Sequence, residues 1–248
     1  MTGNIFNAIS DYTRSLKVIR KLKLWKYFLI PMLISLLTAG LIIFSAWSWG
    51  GFLGALFSKI WFWEWGAKGF RTVGNFMGAL LIIVFGFMMY RHIVMALSAP
   101  FMGPVSEKIE KHLFPGTPVS SSGFFPLLWR GVKISIRNFL LEIIFTIPVL
   151  ILGFIPVIGI VSSFFLIMIQ SYYAGFGNMD YSLERHFGYR ESIRFVRKNR
   201  GVAIGNGLIF ILILMIPFIG FLLVLPFSVT AASLSTLKKI NISAVEDV

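Results

Sequence analysis

The hydrophobic pattern of this chain is dominated by two long uncharged stretches in its second half. Glu142 and Asp180 bracket thirty-seven residues without Asp, Glu, Lys or Arg, and residues 201–237 form a second stretch of the same length. As one straight helix, either stretch would be roughly 55 Å long, whereas the hydrocarbon core of a bilayer is about 30 Å thick. Each stretch is therefore predicted to fold back on itself as a helical hairpin.

The two predicted fold points share the pattern Ile-Pro-x-Ile-Gly. Proline disfavours helix at the preceding residue, and glycine accepts a positive φ without steric cost. The pattern places the hairpin tips at Pro156 and Gly159, and at Pro217 and Gly220. About 16 residues precede the proline of the second hairpin, at or below the roughly 17 to 25 that a full span needs. The hairpins are thus predicted to cross the bilayer either fully or only in part. The alternative to two related hairpins is that the five-residue pattern recurs by chance in an apolar chain.

The first half of the chain contains two apolar runs of spanning length, residues 25–49 and 72–98. The prolines within residues 99–104 predict a helix break, followed by a short amphipathic helix. Residues 1–24 are predicted to form an amphipathic arm in the membrane interface. Apolar residues recur along this arm in steps of three and four: Ile5, Ile9, Tyr12, Leu16 and Ile19.

These elements predict an all-α integral membrane protein that forms a single membrane domain over residues 1–248. Two long transmembrane helices are followed by the first hairpin with its amphipathic lead-in (127–179), a basic connector (180–200) and the second hairpin (201–237). Basic residues concentrate in the arm, in the connector and between the second span and the first hairpin. The positive-inside rule therefore predicts cytoplasmic N- and C-termini and hairpins that point outward.

Composition agrees with a multi-pass membrane protein, because 57% of the residues are apolar and the mean hydropathy is +0.83. The basic residues that give the net charge of +13 lie beside apolar runs. This arrangement is expected for contact with lipid headgroups and not with nucleic acid. The chain has no cysteine, and its three histidines show no metal-ligand spacing. Phosphate-binding loops and nucleophile elbows are also missing from the sequence, so we expect no enzyme activity, metal or cofactor.

Several motifs resemble those of one family. Ala99-Pro100-Phe101 follows an apolar run and precedes a Glu-x-x-Glu helix with Glu107 and Glu110. Together with the stretches 171–185, 195–200 and 226–232, this pattern resembles the bacterial CysZ family, which shares a domain with eukaryotic etoposide-induced proteins. The resemblance covers nearly the whole chain. It implies two long spans with two partly penetrating hairpins, a homo-oligomer, and uptake of sulfate into the cytoplasm for cysteine synthesis across the bacterial inner membrane.

The anion-associated motif of that family, Gly-Leu-Arg followed by a further Arg, falls on Lys23-Leu24-Trp25-Lys26 and departs from the family pattern. Lysine supplies a mobile point charge where arginine supplies a rigid fork for an oxyanion. Lys23 and Lys26 are nevertheless the best candidates for attracting an anion. The alternative is that they anchor the first span to lipid headgroups.

A candidate polar path is formed by charged residues near the first hairpin, because charge at membrane depth usually faces a cavity or a partner. Its members are Glu107, Glu110, Arg130, Arg137 and Glu142. The alternative for the lead-in helix is an interfacial position with a solvated basic face.

These features predict a transporter or channel for a small inorganic anion, with sulfate as the leading substrate. The alternative is a non-transporting scaffold whose hairpins and basic arm organise lipids or partner proteins. A channel needs polar atoms along a lumen, whereas a scaffold can be packed dry. Expected partners are sulfate or a similar oxyanion, membrane lipids and further copies of the chain.

Overall fold

The computed structural model describes residues 2–58, 67–115, 123–216 and 219–246. All regular elements within these ranges are helical, which confirms the predicted all-α fold. The helices are α1 (Thr2–Lys21), α2 (Leu29–Ser58), α3 (Ala67–Leu113), α4 (Phe124–Leu152), α5 (Pro156–Leu183), α6 (Tyr189–Lys198), α7 (Arg200–Leu214) and α8 (Ile219–Glu246). A 3₁₀ turn, Leu24–Tyr27, connects α1 to α2.

Four stretches of the described residues are long and apolar enough to cross a membrane. They are Leu24–Leu53, Thr72–Leu113, Phe124–Leu152 and Ile158–Leu183. The first two correspond to the predicted spans, and the other two form the arms of the first hairpin. By contrast, α7 has 15 residues and is about 22 Å long, which is shorter than the bilayer core. The two hairpins therefore differ in the depth that their helices can reach.

The turn of the first hairpin lies between α4 and α5. Helix α4 ends at Leu152, three residues form the turn, and α5 begins at Pro156, a position where a missing amide hydrogen costs no helical bond. A Cβ at Gly159 would lie 2.8 Å from the carbonyl oxygen of Gly153, so the close approach of the two arms requires glycine. Phe154, which is 81% exposed, gives this tip an apolar surface suited to lipid.

The second hairpin also depends on a glycine at its predicted tip. A Cβ at Gly220 would overlap the carbonyl oxygen of Ile213. The amide of Gly220 donates to the carbonyl of Ile216 at 2.9 Å, a hydrogen bond at the start of α8. Pro217, the other predicted tip residue, lies outside the described residues.

The predicted break at residues 99–104 is wrong, because α3 continues without interruption through Pro100 and Pro104. A proline inside a helix costs about 3 kcal/mol. Here that cost is offset by packing, since the same stretch contributes a buried stripe to the core. Its members are Ala99, Met102, Val105 and Ile109, each no more than 1% exposed.

The amphipathic arm packs one face against α7 and α8. The Tyr12 hydroxyl lies 2.8 Å from both the Asn206 carbonyl and the Ser228 hydroxyl. The predicted stripe is partly wrong, since Leu16 is 44% exposed and Ser15 is buried instead. Ser15 satisfies its hydroxyl by donating to the carbonyl of Tyr12, which lets a polar residue occupy the packed face.

Small and polar residues fill the contact between the hairpins. A Cβ at Gly175 would overlap the Ala203 carbonyl oxygen, so α5 and α7 approach closely. In the same interior, the amide of Asn178 donates to the side-chain oxygen of Asn206 at 2.9 Å. Small residues and interhelical hydrogen bonds of this kind hold helices together in a membrane.

Candidate functional site

Charged side chains meet where α3, α4 and α5 pack together, and the most extensive contacts belong to Arg130 of α4. Its guanidinium donates to both carboxylate oxygens of Asp180, with Nε at 3.0 Å and Nη2 at 2.8 Å. It also donates to the Phe187 carbonyl at 2.8 Å and to the Ser192 hydroxyl at 2.7 Å. Arg130 thus ties α4 and α5 to α6 and to the loop that precedes it.

A second cluster joins α3 to the end of α5. Arg185 donates to Glu110 at 3.0 Å and to the Ser106 hydroxyl at 2.8 Å. His186 lies 2.7 Å from the other oxygen of Glu110. The side chains of Glu110 and Arg185 are almost fully buried, so their charges compensate each other away from water.

Glu184 lies between these two clusters. Its side chain is 3% exposed, and its closest basic contact is Arg185 at 3.7 Å. Burial, with a further contribution from the negative charge of Asp180, raises the pKa of Glu184 to about 8. A cavity of about 10 Å³ lies beside it, which is room for about one water molecule. Glu184 is therefore a buried carboxyl group that holds a proton at neutral pH.

A third cluster links α3 to α4. The guanidinium of Arg91 donates to Glu142, and the ring of His92 lies 3.1 Å from the second oxygen of the same carboxylate. All three side chains are less than 10% exposed. An ion pair in this position neutralises charge inside the apolar segments Thr72–Leu113 and Phe124–Leu152.

The structure places the five residues of the predicted polar path in different settings. Glu110, Arg130 and Glu142 belong to the three buried clusters described above. Glu107 instead pairs with Lys111 at 2.6 Å on the exposed side of α3. Arg137 donates to the side chain of Asn138 at 2.9 Å and lies 5.0 Å from the centre of the Phe176 ring.

Lys23 and Lys26 lie at the start of the first span and are exposed. Lys23 has a left-handed backbone, with φ 51° and ψ 44°, immediately before the 3₁₀ turn that contains Lys26. Neither lysine forms an ion pair with a carboxylate of the described residues. Their charges are therefore available to an anion or to a lipid headgroup.

The sequence reasoning missed the partners of these clusters. Arg91 and His92 were visible only as polar residues beside an apolar run, and Glu142 is about fifty positions away. Asp180 and Arg185 are close in sequence, but in the structure they pair with different partners, Arg130 and Glu110. Asp180 and Arg185 lie next to a long apolar run, and a charge in that setting needs a partner on another helix.

The helices and buried ion pairs define a multi-pass membrane protein with charged clusters at the junction of its spans and hairpins. A sequence profile of the family described as sulfate transporter CysZ/etoposide-induced protein 2.4 matches residues 12–225. The match covers most of the chain, and this protein belongs to that family. The family assignment confirms the resemblance found in the sequence.

Individual relatives agree with the family. The chain is 26% identical over 240 residues to the sulfate transporter CysZ of Pseudomonas paraeruginosa (strain DSM 24068 / PA7), covering 88% of this chain and 89% of the relative. It is also 26% identical over 161 residues to the sulfate transporter CysZ of Pseudomonas aeruginosa (strain LESB58), covering 62% and 64% of the two chains. The relatives and the apolar helices fit a multi-pass bacterial membrane protein with a transport role.

Proposed function

We propose that this protein carries sulfate across the bacterial inner membrane into the cytoplasm. The observation that carries the proposal is the contrast between paired and unpaired basic residues, seen in a chain whose relatives are named sulfate transporters. Arg91, Arg130 and Arg185 are neutralised by buried carboxylates. Lys23 and Lys26, at the start of the first span, pair with no carboxylate of the described residues, which leaves their charges to an incoming anion.

The two lysines attract the anion electrostatically. Unpaired positive charges at the mouth of a path raise the local anion concentration and the rate of association. The point charge of lysine attracts an oxyanion without the two-point geometry of arginine. Selectivity for sulfate then depends on groups farther along the route, and Glu107 and Arg137 are the candidates from the predicted polar path. Glu110, Arg130 and Glu142 are held in buried ion pairs.

The proposed route runs between copies of the chain. The cavity beside Glu184 has room for about one water molecule, so a sulfate ion does not fit between the helices there. The exposed apolar faces of α2 and the first hairpin offer surface to lipid or to another copy. A homo-oligomer with cytoplasmic termini, acting as a channel or as an ion-coupled carrier, completes the proposal.

Uptake of radiolabelled sulfate into liposomes that contain the purified protein tests this function. We expect uptake above that of empty liposomes, with competition by selenate and by phosphate measured in the same assay. The double variant Lys23→Ala/Lys26→Ala should lower the rate several-fold. The matched control is Lys17→Ala/Lys21→Ala, which removes two exposed charges from α1 and should leave uptake near that of the unmodified protein.

The outcomes separate transport from the scaffold alternative. A loss of uptake in the first variant but not in the control supports an anion entrance at Lys23 and Lys26. Equal effects of both variants would mean that only the general surface charge matters. Liposomes with the protein that take up none of the three anions would exclude transport of sulfate and favour a scaffold.

A further inference from the structure

An open apolar groove lies between α3 and α4, the second span and the first arm of the first hairpin. Its volume is about 230 Å³, and apolar atoms form its surface. Its walls include Ile93, Ala96 and Leu97 of α3 and Val132, Ile136 and Phe139 of α4. Both helices belong to stretches that are long and apolar enough to cross a membrane. The α3–α4 groove is therefore open to lipid hydrocarbon.

The apolar surface continues beyond this groove. A second cavity, of about 510 Å³, lies between α2 and α3, and Met89 and Ile93 line both cavities. From Leu97 to Leu81, the two cavities extend about 24 Å along α3. This length exceeds half of the bilayer core of about 30 Å, which is the depth that the chains of one leaflet fill. The surface is thus long enough to accommodate a lipid chain.

A cation and an indole lie beside one end of the α3–α4 groove. The ammonium nitrogen of Lys133 is 5.3 Å from the centre of the Trp129 ring, one helical turn closer to the start of α4. Both side chains are exposed. Side chains three residues apart are neighbours on a helix, so Trp129 adjoins Val132 and Lys133 adjoins Ile136. The charge therefore lies next to two residues that line the groove.

The position of Lys133 along α4 matches the level of lipid headgroups. Helix α4 ends at Leu152, which is about 29 Å along the axis from Lys133. This distance is close to the thickness of the bilayer core, so a hairpin turn at one face of the core places Lys133 at the other. Lysine at this level extends its ammonium towards the headgroups, and tryptophan prefers the same interface.

The charge of Lys133 lacks a partner of opposite sign within the described parts of the chain. By contrast, Arg130 on the same helix is held by Asp180. The remaining basic residue of α4, Arg137, lies over the Phe176 ring of α5. An unpaired lysine at the membrane surface attracts an anionic lipid headgroup. Lys133 thus supplies the charge complementary to a phosphate, and the adjacent groove supplies an apolar surface for the chain.

We propose that the α3–α4 groove binds one anionic phospholipid. Its phosphate lies at Lys133, Trp129 packs at the level of the headgroup, and one acyl chain lies in the groove. The groove holds the chain, and the lysine selects a negatively charged headgroup over a zwitterionic one. The site is separate from Lys23 and Lys26, and its occupancy can be measured whether or not the protein transports sulfate.

Native mass spectrometry of the full chain, purified in detergent, tests the charge by comparing retention of phosphatidylglycerol with that of phosphatidylcholine. In Lys133→Gln we expect the apparent affinity for phosphatidylglycerol to fall about fivefold, with that for phosphatidylcholine unchanged. Lys133→Arg keeps the charge and should keep the preference. The matched control is Lys198→Gln, because Lys198 is also an exposed lysine but does not line the groove.

A second variant tests the groove itself. Ile136 is 55% exposed, so Ile136→Trp enlarges a side chain of the groove without entering the packed interior. Retention of both lipids should fall several-fold, because both lipids carry acyl chains. The matched control is Ile147→Trp, since Ile147 is 53% exposed on the same helix but does not line the groove.

Loss of the preference in Lys133→Gln and loss of retention in Ile136→Trp, with both controls unchanged, support the proposal. The proposal is overturned if the unmodified protein does not prefer phosphatidylglycerol, or if the control variants lose as much as the test variants. A second copy of the chain is the other occupant that the groove could take. An oligomer that dissociates in Ile136→Trp with no loss of bound lipid would assign the groove to a subunit interface and overturn the proposal.

Discussion

Arg130 and Asp180 form a two-point ion pair across the α4–α5 interface, with nitrogen–oxygen distances of 3.0 and 2.8 Å. The same guanidinium contacts Phe187 and Ser192, so one side chain fixes the position of α6 relative to the first hairpin. This ion pair thus positions α6, which lies between the two hairpins along the chain.

Breaking this pair is expected to destabilise the protein strongly. Asp180→Asn leaves Arg130 without its charged acceptor at a mostly buried position, and loss of one partner of a buried pair costs about 3–5 kcal/mol. The melting temperature of the purified protein in detergent measures the effect. Glu107→Gln is the control, since its partner Lys111 is 58% exposed and such pairs contribute about 0–1 kcal/mol. Similar losses in both variants would contradict a dominant role for Arg130.

The close contact of α5 with α7 predicts that replacing glycine by alanine has very different effects on stability at different positions. A Cβ at Gly207 would overlap the Ser171 carbonyl oxygen, whereas a Cβ at Gly40 of α2 meets no atom within 4 Å. Gly207→Ala is therefore expected to force the helices apart and to lower both the yield and the melting temperature. Gly40→Ala should raise stability by about 0.5–1 kcal/mol, because alanine favours helix over glycine. A normal yield and melting temperature for Gly207→Ala would show that the hairpins pack differently.

The lengths of the apolar runs and the Ile-Pro-x-Ile-Gly pattern are sufficient to predict the spans and the turn before Pro156. These features are local, since they follow from helix rise, bilayer thickness and the missing donor of proline. The continuation of α3 through Pro100 could not be predicted in this way. It depends on burial of Met102 and Val105 against other helices, and sequence alone does not give the packing that offsets a proline.

The sequence shows which charged residues lie near the spans, but it does not predict which of them pair with each other. Glu142 was expected on a polar path, yet its partners Arg91 and His92 lie on another helix about fifty residues away. Pairing depends on the rotation of α3 and α4 about their axes, which local periodicity does not fix when apolar residues surround the helix.

Lys23 contributes both a positive charge and a left-handed backbone, and substitution by glycine tests the two contributions separately. Glycine adopts φ 51° without the steric cost that lysine bears, so Lys23→Gly should be at least as stable as the unmodified protein. Lys26→Gly places glycine within the 3₁₀ turn and should cost up to about 1 kcal/mol. Melting temperatures of the two variants check this difference, and a lower value for Lys23→Gly would argue against the left-handed turn. Because Lys23→Gly keeps the turn, reduced sulfate uptake in this variant would be due to the lost charge.

The stability of the protein is expected to fall with rising pH because of Glu184. Burial and the charge of Asp180 raise the pKa of Glu184 from 4.5 to about 8 in the folded protein. Between these values the folded protein keeps a proton that the unfolded chain has released, so the free energy of unfolding decreases as the pH rises through this window. Melting temperatures measured from about pH 5 to about pH 9 should therefore decline for the unmodified protein. Glu184→Gln cannot lose a proton, so it should show a weaker decline and exceed the unmodified protein in stability at the alkaline end.

Glu107→Gln is the control for this prediction, because Glu107 lies on the exposed side of α3. The melting temperature of Glu107→Gln should follow that of the unmodified protein at every pH. Parallel curves for Glu184→Gln and the unmodified protein would exclude Glu184 as the group responsible.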